Sequence, residues 1–248
     1  MSTFKPCVVI PVYNHAEPVK AVVNSILKLN LPCLLINDAS DAECTTVLRQ
    51  LAEKAGIWLK ELPVNQGKGG AVMAGLSYAQ TLGYTHALQV DADGQHNLSD
   101  ITRFIQTAEQ YPEQLICGYP EYDASVPKGR LYARYLTHIW VWINTLSLSI
   151  KDSMCGFRIY PLAPAVALIE RVNLGKRMDF DIEILVRLNW QNQPMHWLHT
   201  KVHYPEDGVS HFQGWLDNKL ISQMHAKLFF GMLIRSPRLI LRWFRHAR

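Results

Sequence analysis

The feature that most constrains this chain is an alternation of short apolar runs with helix-like segments through its first third. Cys7 to Val12, Cys33 to Ile36, Ile57 to Leu62 and His86 to Val90 are rich in Val, Ile and Leu and suit strands buried on both faces. Between them lie Glu17 to Leu29, Asp41 to Lys54 and Gly69 to Leu82, the first of which sets Val19, Val22, Val23, Ile26 and Leu27 on one helical face. This rhythm predicts the α/β class, a mostly parallel Rossmann-like sheet sandwiched by helices, because parallel neighbours need a crossover that covers the sheet. A chain of 248 residues, 48% hydrophobic and 19% charged, can bury such a core without disulfide or metal support. No repeat or Pro/Gly-rich linker divides it, so residues 1–215 are read as one domain.

Ligands of open α/β sheets sit beyond the carboxyl ends of the strands. The polar residues that follow the four runs should therefore gather: Pro11, Tyr13 and Asn14; Asn37, Asp38 and Ser40; Asn65 to Gly70; and Asp91 to His96. In an extended segment Asp91 and Asp93 share a face and can converge on one hard cation, with Gln95 in reach. Magnesium or manganese held by so few protein oxygens keeps positions open for the diphosphate of a nucleotide. The competing account is a solvated acidic turn, with Gly94 and Asn97 making the turn and Ser99 capping the next helix.

Asp38 is placed to accept from a base N–H or a ribose hydroxyl, or else to cap a helix. Asn65-Gln66-Gly67-Lys68-Gly69-Gly70-Ala71 offers backbone amides and one ammonium to phosphate oxygens. It lacks the GxxxxGK[ST] spacing of a P-loop, and tight helix–strand packing also accounts for its glycines.

Five scattered cysteines without a CxxC pair suggest neither a zinc site nor a disulfide framework, and they point to a reducing cytosol. The amino terminus has no signal-like pattern, and the longest apolar windows are too short to span a bilayer. Net charge is +4, yet Lys219 to Arg248 hold seven of the 25 basic residues and none of the 21 acidic ones. The stretch from Ala226 to Arg245 mixes those arginines with Trp, Phe and Leu, which suits an interfacial helix on anionic lipid. Residues 216–248 are therefore read as a basic amphipathic tail for a membrane surface. Packing on the protein's own core and self-association are the competing uses, and no module for nucleic acid accompanies the charge.

Five segments in order now carry a resemblance: Val9-Ile10-Pro11-Val12-Tyr13-Asn14, Asn37-Asp38-Ala39-Ser40, Asn65 to Ala71, Asp91-Ala92-Asp93-Gly94-Gln95-His96, and Asp152-Ser153-Met154-Cys155-Gly156-Phe157-Arg158. With Phe180-Asp181-Ile182-Glu183-Ile184-Leu185 behind them, they resemble the family 2 glycosyltransferases of GT-A fold. The branch most similar is that of the polyprenyl-phosphate sugar synthases, the dolichol-phosphate mannose synthase type, and the 150–161 region also resembles the bacterial aryl-polyene or pigment subgroup.

The resemblance implies that Asp38 reads the nucleotide base, that Asp91, Asp93 and Gln95 hold the divalent ion on the donor diphosphate, and that Lys68 and Gly69 line the donor. It places Arg130 near the diphosphate or an acceptor phosphate, with Arg134 one helical turn on, and His211 in a loop over the donor. For a hydroxyl acceptor it leaves Asp152 or Asp181 as general base, whereas a phosphate acceptor needs none. Each has a structural alternative, Asp152 as anchor for Arg158 and Asp181 as a helix-surface charge. Two departures stand out: Cys117-Gly118-Tyr119 where the branch often has G-S-R, and Cys155 for a serine.

The implied activity is metal-dependent, inverting transfer of a sugar from a nucleoside diphosphate to a lipid or lipid-linked hydroxyl, on the cytoplasmic face of the membrane. A polyprenyl-phosphate acceptor and a catalytically silent GT-A scaffold partnering a membrane enzyme are the alternatives.

Overall fold

The structure, a computed structural model, describes residues 4–121, 128–201 and 212–246, with the side chains of 128–131, 133 and 243–246 outside that description. In chain order the elements are β1 (Pro6–Val12), α1 (Ala16–Leu27), β2 (Cys33–Asn37), α2 (Ala42–Ala52), β3 (Ile57–Glu61), α3 (Gly67–Thr81), β4 (His86–Gln89), α4 (Ile101–Gln110), β5 (Leu115–Glu121), α5 (Lys128–Thr145), β6 (Arg158–Pro161), α6 (Leu162–Arg171), α7 (Phe180–Trp190), β7 (Met195–Lys201) and α8 (Gly214–His246). They form one seven-stranded sheet in the order β3-β2-β1-β4-β6-β5-β7. Only β6 runs against its neighbours β4 and β5; the other described pairings are parallel.

Alternation along the strands divides the core. Val8, Ile10 and Leu35 point to α1, α2 and α4, where they meet Val22, Ile26, Leu48 and Phe104. Cys7, Val9, Leu34 and Ile36 point to the other face and meet α3, α6 and α7 through Leu76, Val166 and Leu185. All five residues of β2 are buried, which is why its run reads as continuous apolar sequence. Asp41 caps α2 by accepting from the Cys44 amide at 2.8 Å.

Helix α8 does not hang free. Met224 and Leu228 join the core shared with α5 and α7, and Asp217 is fully buried. Three of the cations expected to face lipid are used internally. Arg235 stacks on Trp190 at 4.6 Å, Arg242 donates to Asn189 O at 2.7 Å and so closes the end of α7, and Lys227 donates to Asn173 O at 3.0 Å. Pro237 lies inside α8 and cannot donate to Leu233 O; the Ser236 hydroxyl takes that carbonyl at 2.8 Å.

Candidate active site

Asp38 leaves β2 and turns into the cleft, where its carboxylate accepts from the Gln66 amide at 2.6 Å while its carbonyl accepts from Asn65 Nδ2 at 3.1 Å. Burial raises its carboxyl above the usual range, against the lowering effect of the Gln66 and Gly67 amides and of Arg177. Asn14, in left-handed backbone, braces the neighbouring loop by accepting from the Asp41 amide at 2.9 Å and donating its own N–H to the Ser40 hydroxyl at 3.1 Å. Pro11 is half-buried in β1, and Tyr13 stands exposed beside Asn14.

Three of the amides in the glycine-rich turn are engaged within the protein. The amides of Gln66, Gly67 and Gly70 are taken by Asp38, by Asn65 at 3.2 Å and by Lys176 O at 3.0 Å. Gly69 lets Phe180 pack against the helix, and a side chain there would overlap that ring. What the turn presents is the Lys68 ammonium, 2.8 Å from Asp91 Oδ2 and 3.1 Å from Asp181 Oδ2. Burial opposes the charge on Lys68, but Asp181 and Asp91 outweigh it and raise the ammonium well above its ordinary value. Burial likewise works against the Asp91 carboxylate, and Lys68 and His96 overcome it, so that group is held below the usual range.

Strand β4 ends at Gln89, so the extended-segment reason for bringing Asp91 and Asp93 together does not apply. A turn does the placing instead: Ala92 is buried, Gly94 takes φ 72°, and Asp93 accepts from the Gln95 amide at 3.0 Å. Asn97, rather than Ser99, caps the single helical turn Leu98–Asp100 that leads into α4, accepting from the Ser99 amide at 3.3 Å. Among the described residues no group of three His, Cys, Asp or Glu side chains stands ready to hold a cation. The Asp91, Asp93 and Gln95 set still fits one in part: Asp91 Oδ1 is buried and makes no hydrogen bond among the described residues, and all three side chains offer oxygen.

Asp152 and Asp181 are both enclosed. Asp152 accepts from Arg134 Nε at 2.7 Å and from the amides of Met154 and Cys155 at 2.9 and 2.8 Å, so it anchors Arg134 and its own loop rather than Arg158. Asp181 is 4% exposed, which corrects its reading as a surface charge. Its carboxylate meets Lys68 and, at 3.3 Å, Gln89 Nε2, while its carbonyl accepts from Arg158 at 2.7 Å. Arg158 also donates to Ser153 O at 2.8 Å.

Sequence reasoning passed over Gln89, Tyr160, Gly156 and Arg177. Gln89 was visible as one polar residue inside an apolar run, and it joins Tyr160 to Asp181. A Cβ on Gly156 would stand 2.7 Å from Gln89 Nε2 and 3.0 Å from Lys68 Nζ, so a larger residue would push on the ends of both side chains in the ion cluster. Arg177 had no sequence signal; it reaches Asp217 of α8 at 2.8 Å. Of the remaining expected residues, Arg130 lies in α5 with its side chain outside the described residues, and His211 lies outside them altogether.

The sequence profile of Glycosyl transferase family 2 matches residues 7–171. A dolichyl-phosphate beta-glucosyltransferase of Dictyostelium discoideum is 27% identical over 76% of this chain and 63% of its own length. A UDP-N-acetylglucosamine–dolichyl-phosphate N-acetylglucosaminyltransferase of Methanococcus voltae is 25% identical over 78% of this chain and 85% of its own. Among solved structures, the mannosyltransferase PcManGT of Pyrobaculum calidifontis, in complex with GDP-Man and Mn2+, superposes with a TM-score of 0.56 at 14% identity, covering 94% of this chain and 66% of that one. That likeness extends to the GT-A fold.

Proposed function

The chain belongs to glycosyl transferase family 2, and we propose that it moves a sugar from a nucleoside diphosphate to the phosphate of a polyprenyl lipid at the cytoplasmic face of a membrane. The bond from the anomeric carbon to the diphosphate oxygen breaks, a bond from that carbon to an acceptor phosphate oxygen forms with inversion, and the nucleoside diphosphate leaves. One observation supports a phosphate over a hydroxyl acceptor: both carboxylates that could act as base are committed, Asp152 to Arg134 at 2.7 Å and Asp181 to Lys68 at 3.1 Å. An anionic phosphate needs no base, whereas a hydroxyl would require one of them to shed its cation. The names of the dolichyl-phosphate relatives agree with this choice.

Asp38 reads the base, Lys68 bridges the Asp91 and Asp181 carboxylates, and Arg158 holds the Asp181 backbone. Asp91, Asp93 and Gln95 would hold magnesium or manganese, which when bound supplies positive charge to the leaving diphosphate. Arg134 is held by Asp152 at 2.7 Å, and the family resemblance gives Arg130 to the diphosphate or acceptor phosphate and His211 to the donor.

The membrane contact extends beyond the tail. No helix among the described residues is long and apolar enough to cross a bilayer. Instead Tyr132, Tyr135, Leu136, Ile139 and Ile143 form an exposed stripe at helical spacing on α5, and Phe230, Leu233, Ile234 and Leu241 are exposed on α8 beside it. No acidic residue falls within α5, or in α8 after Asp217. Such a face suits an anionic lipid surface.

The test uses the full chain, a panel of nucleotide sugars, manganese and a short polyprenyl phosphate in detergent. An acid-labile lipid-phosphate sugar that disappears in Asp93→Ala is the expected product. Transfer only to a hydroxyl-bearing lipid would reject the phosphate acceptor.

A further inference from the structure

The acceptor flank of the sheet carries a polar group outside the donor cleft. Gln89 is in register with Arg158, and Arg158 with Cys117. Two residues further on, Tyr119 therefore stands about level with Asp91, just past the end of β4. Tyr119 pairs with His199 and Glu121 with Lys201 across β5 and β7. Strands spaced about 4.8 Å apart put this group roughly 10–15 Å sideways from the donor carboxylates, across β6. That interval leaves room for one sugar ring and one phosphate.

The group lies at the exposed edge of the sheet, with the His199 and Glu121 side chains 58% and 54% exposed. The Tyr119 ring meets the His199 ring edge-on at 4.9 Å, and His199 Nδ1 lies 3.1 Å from Glu121 Oε1. From the opposite face, Arg103 donates to the His199 carbonyl, and Asp100 accepts from the Thr200 hydroxyl at 2.8 Å. Thr200 points to α4, so alternation turns His199 and Lys201 to the face that carries α5 and the Arg134–Asp152 pair. With Nδ1 facing Glu121, Nε2 is the ring nitrogen left to meet a ligand. The Lys201 ammonium and the Tyr119 hydroxyl are further donors on that face.

We propose that His199, with Tyr119 and Lys201, forms a subsite for a phosphate monoester, and that Glu121 is the positioning residue that orients the imidazole. The inference rests on the phosphate-acceptor reading above in naming that monoester as the acceptor's. Its chemistry is shared by a lipid monophosphate and by free phosphate.

The experiment titrates the full chain, loaded with nucleoside diphosphate and manganese, with a short isoprenyl monophosphate or with inorganic phosphate. The ring resonances of His199 are followed, and acceptor KM is measured alongside. Saturable movement of those resonances by the isoprenyl phosphate is expected. His199→Ala should raise acceptor KM about tenfold, the loss of one charge-assisted hydrogen bond, with donor KM unchanged. Glu121→Gln should raise it less. Equal binding of inorganic phosphate, lost in His199→Ala, supports the subsite and removes the lipid chain from it. Still resonances, or unchanged acceptor binding in both variants, overturn it. If the wild type binds isoprenyl phosphate through His199 yet forms no sugar–phosphate lipid, the subsite stands and the acceptor reading falls.

Discussion

Replacing Lys68 by Met tests whether the cleft is organised by one ammonium between two carboxylates. Met keeps the length and most of the volume, so little cavity cost is expected. The side chains of Lys68, Asp91 and Asp181 are 20%, 21% and 6% exposed, which makes the cluster mostly but not wholly buried. Removing one partner of a buried pair costs about 3–5 kcal/mol because the other is left uncompensated, and the residual exposure of Asp91 argues for the lower end. A loss of about 3 kcal/mol in a chain of this size lowers the melting temperature by about 6–12 °C.

The pH dependence should also change sign. In the wild type the Asp91 carboxyl is held below its unfolded value, so it contributes stability above the usual carboxylate range and that contribution is lost as pH falls through the folded value. Without Lys68 the two carboxylates repel and share a proton, so Lys68→Met should gain stability on going from neutral pH to about pH 5. Adding Asp181→Asn should recover about 1–2 kcal/mol of the loss. Thermal and urea unfolding at several pH values measure all of this. A variant within about 1 kcal/mol of the wild type at neutral pH, with no gain in acid, would refute the reasoning.

Two more outcomes concern the C-terminal helix. Asp217 is fully buried, and Arg177, which it grips, belongs to the segment packed on Gly67 and Gly70; Asp217→Asn should therefore weaken nucleoside diphosphate binding several-fold as well as lower stability, as thermal shift with and without the nucleotide would show. His225 is buried between α8 and α5, and burial lowers its pKa to about 4. A folded pKa below the unfolded value means that stability is lost as pH falls from about 6.5 to 4, by up to about 3 kcal/mol. His225→Leu should flatten that limb of the pH–stability curve measured by urea unfolding.

The fold was legible because parallel strands buried on both faces leave continuous apolar runs. The four predicted strands and three helices fall within one or two residues of their ends in the structure. The loops that line the site were legible by position, since each comes directly after a strand. Their internal bonding was not. Nothing in Asn65 to Gly70 reveals that the Gln66, Gly67 and Gly70 amides are taken by Asp38, Asn65 and Lys176, because those partners lie 28 to 106 residues away or within the turn itself. The same holds for Asp152, whose partner Arg134 lies 18 residues earlier on α5. Composition marked the tail as basic and amphipathic, yet Arg235 and Arg242 serve Trp190 and Asn189, contacts that no periodicity encodes.

The ion cluster also bears on how the donor enters. Lys68 neutralises Asp91 through Oδ2, and Oδ1 of the same carboxylate is the buried oxygen without a hydrogen bond among the described residues. Asp91 can therefore turn Oδ1 toward a cation without releasing Lys68. Yet the Lys68 ammonium, and the Arg158 guanidinium anchored to the Asp181 carbonyl, oppose a bare divalent charge brought so near. A diphosphate arriving with the cation would cancel that repulsion and add attraction to Lys68. Sites linked in this way raise each other's affinity by the same factor. A cation and a nucleotide sugar would thus favour one another in this cleft, and the ammonium that bridges its carboxylates would make it select the pair over either alone.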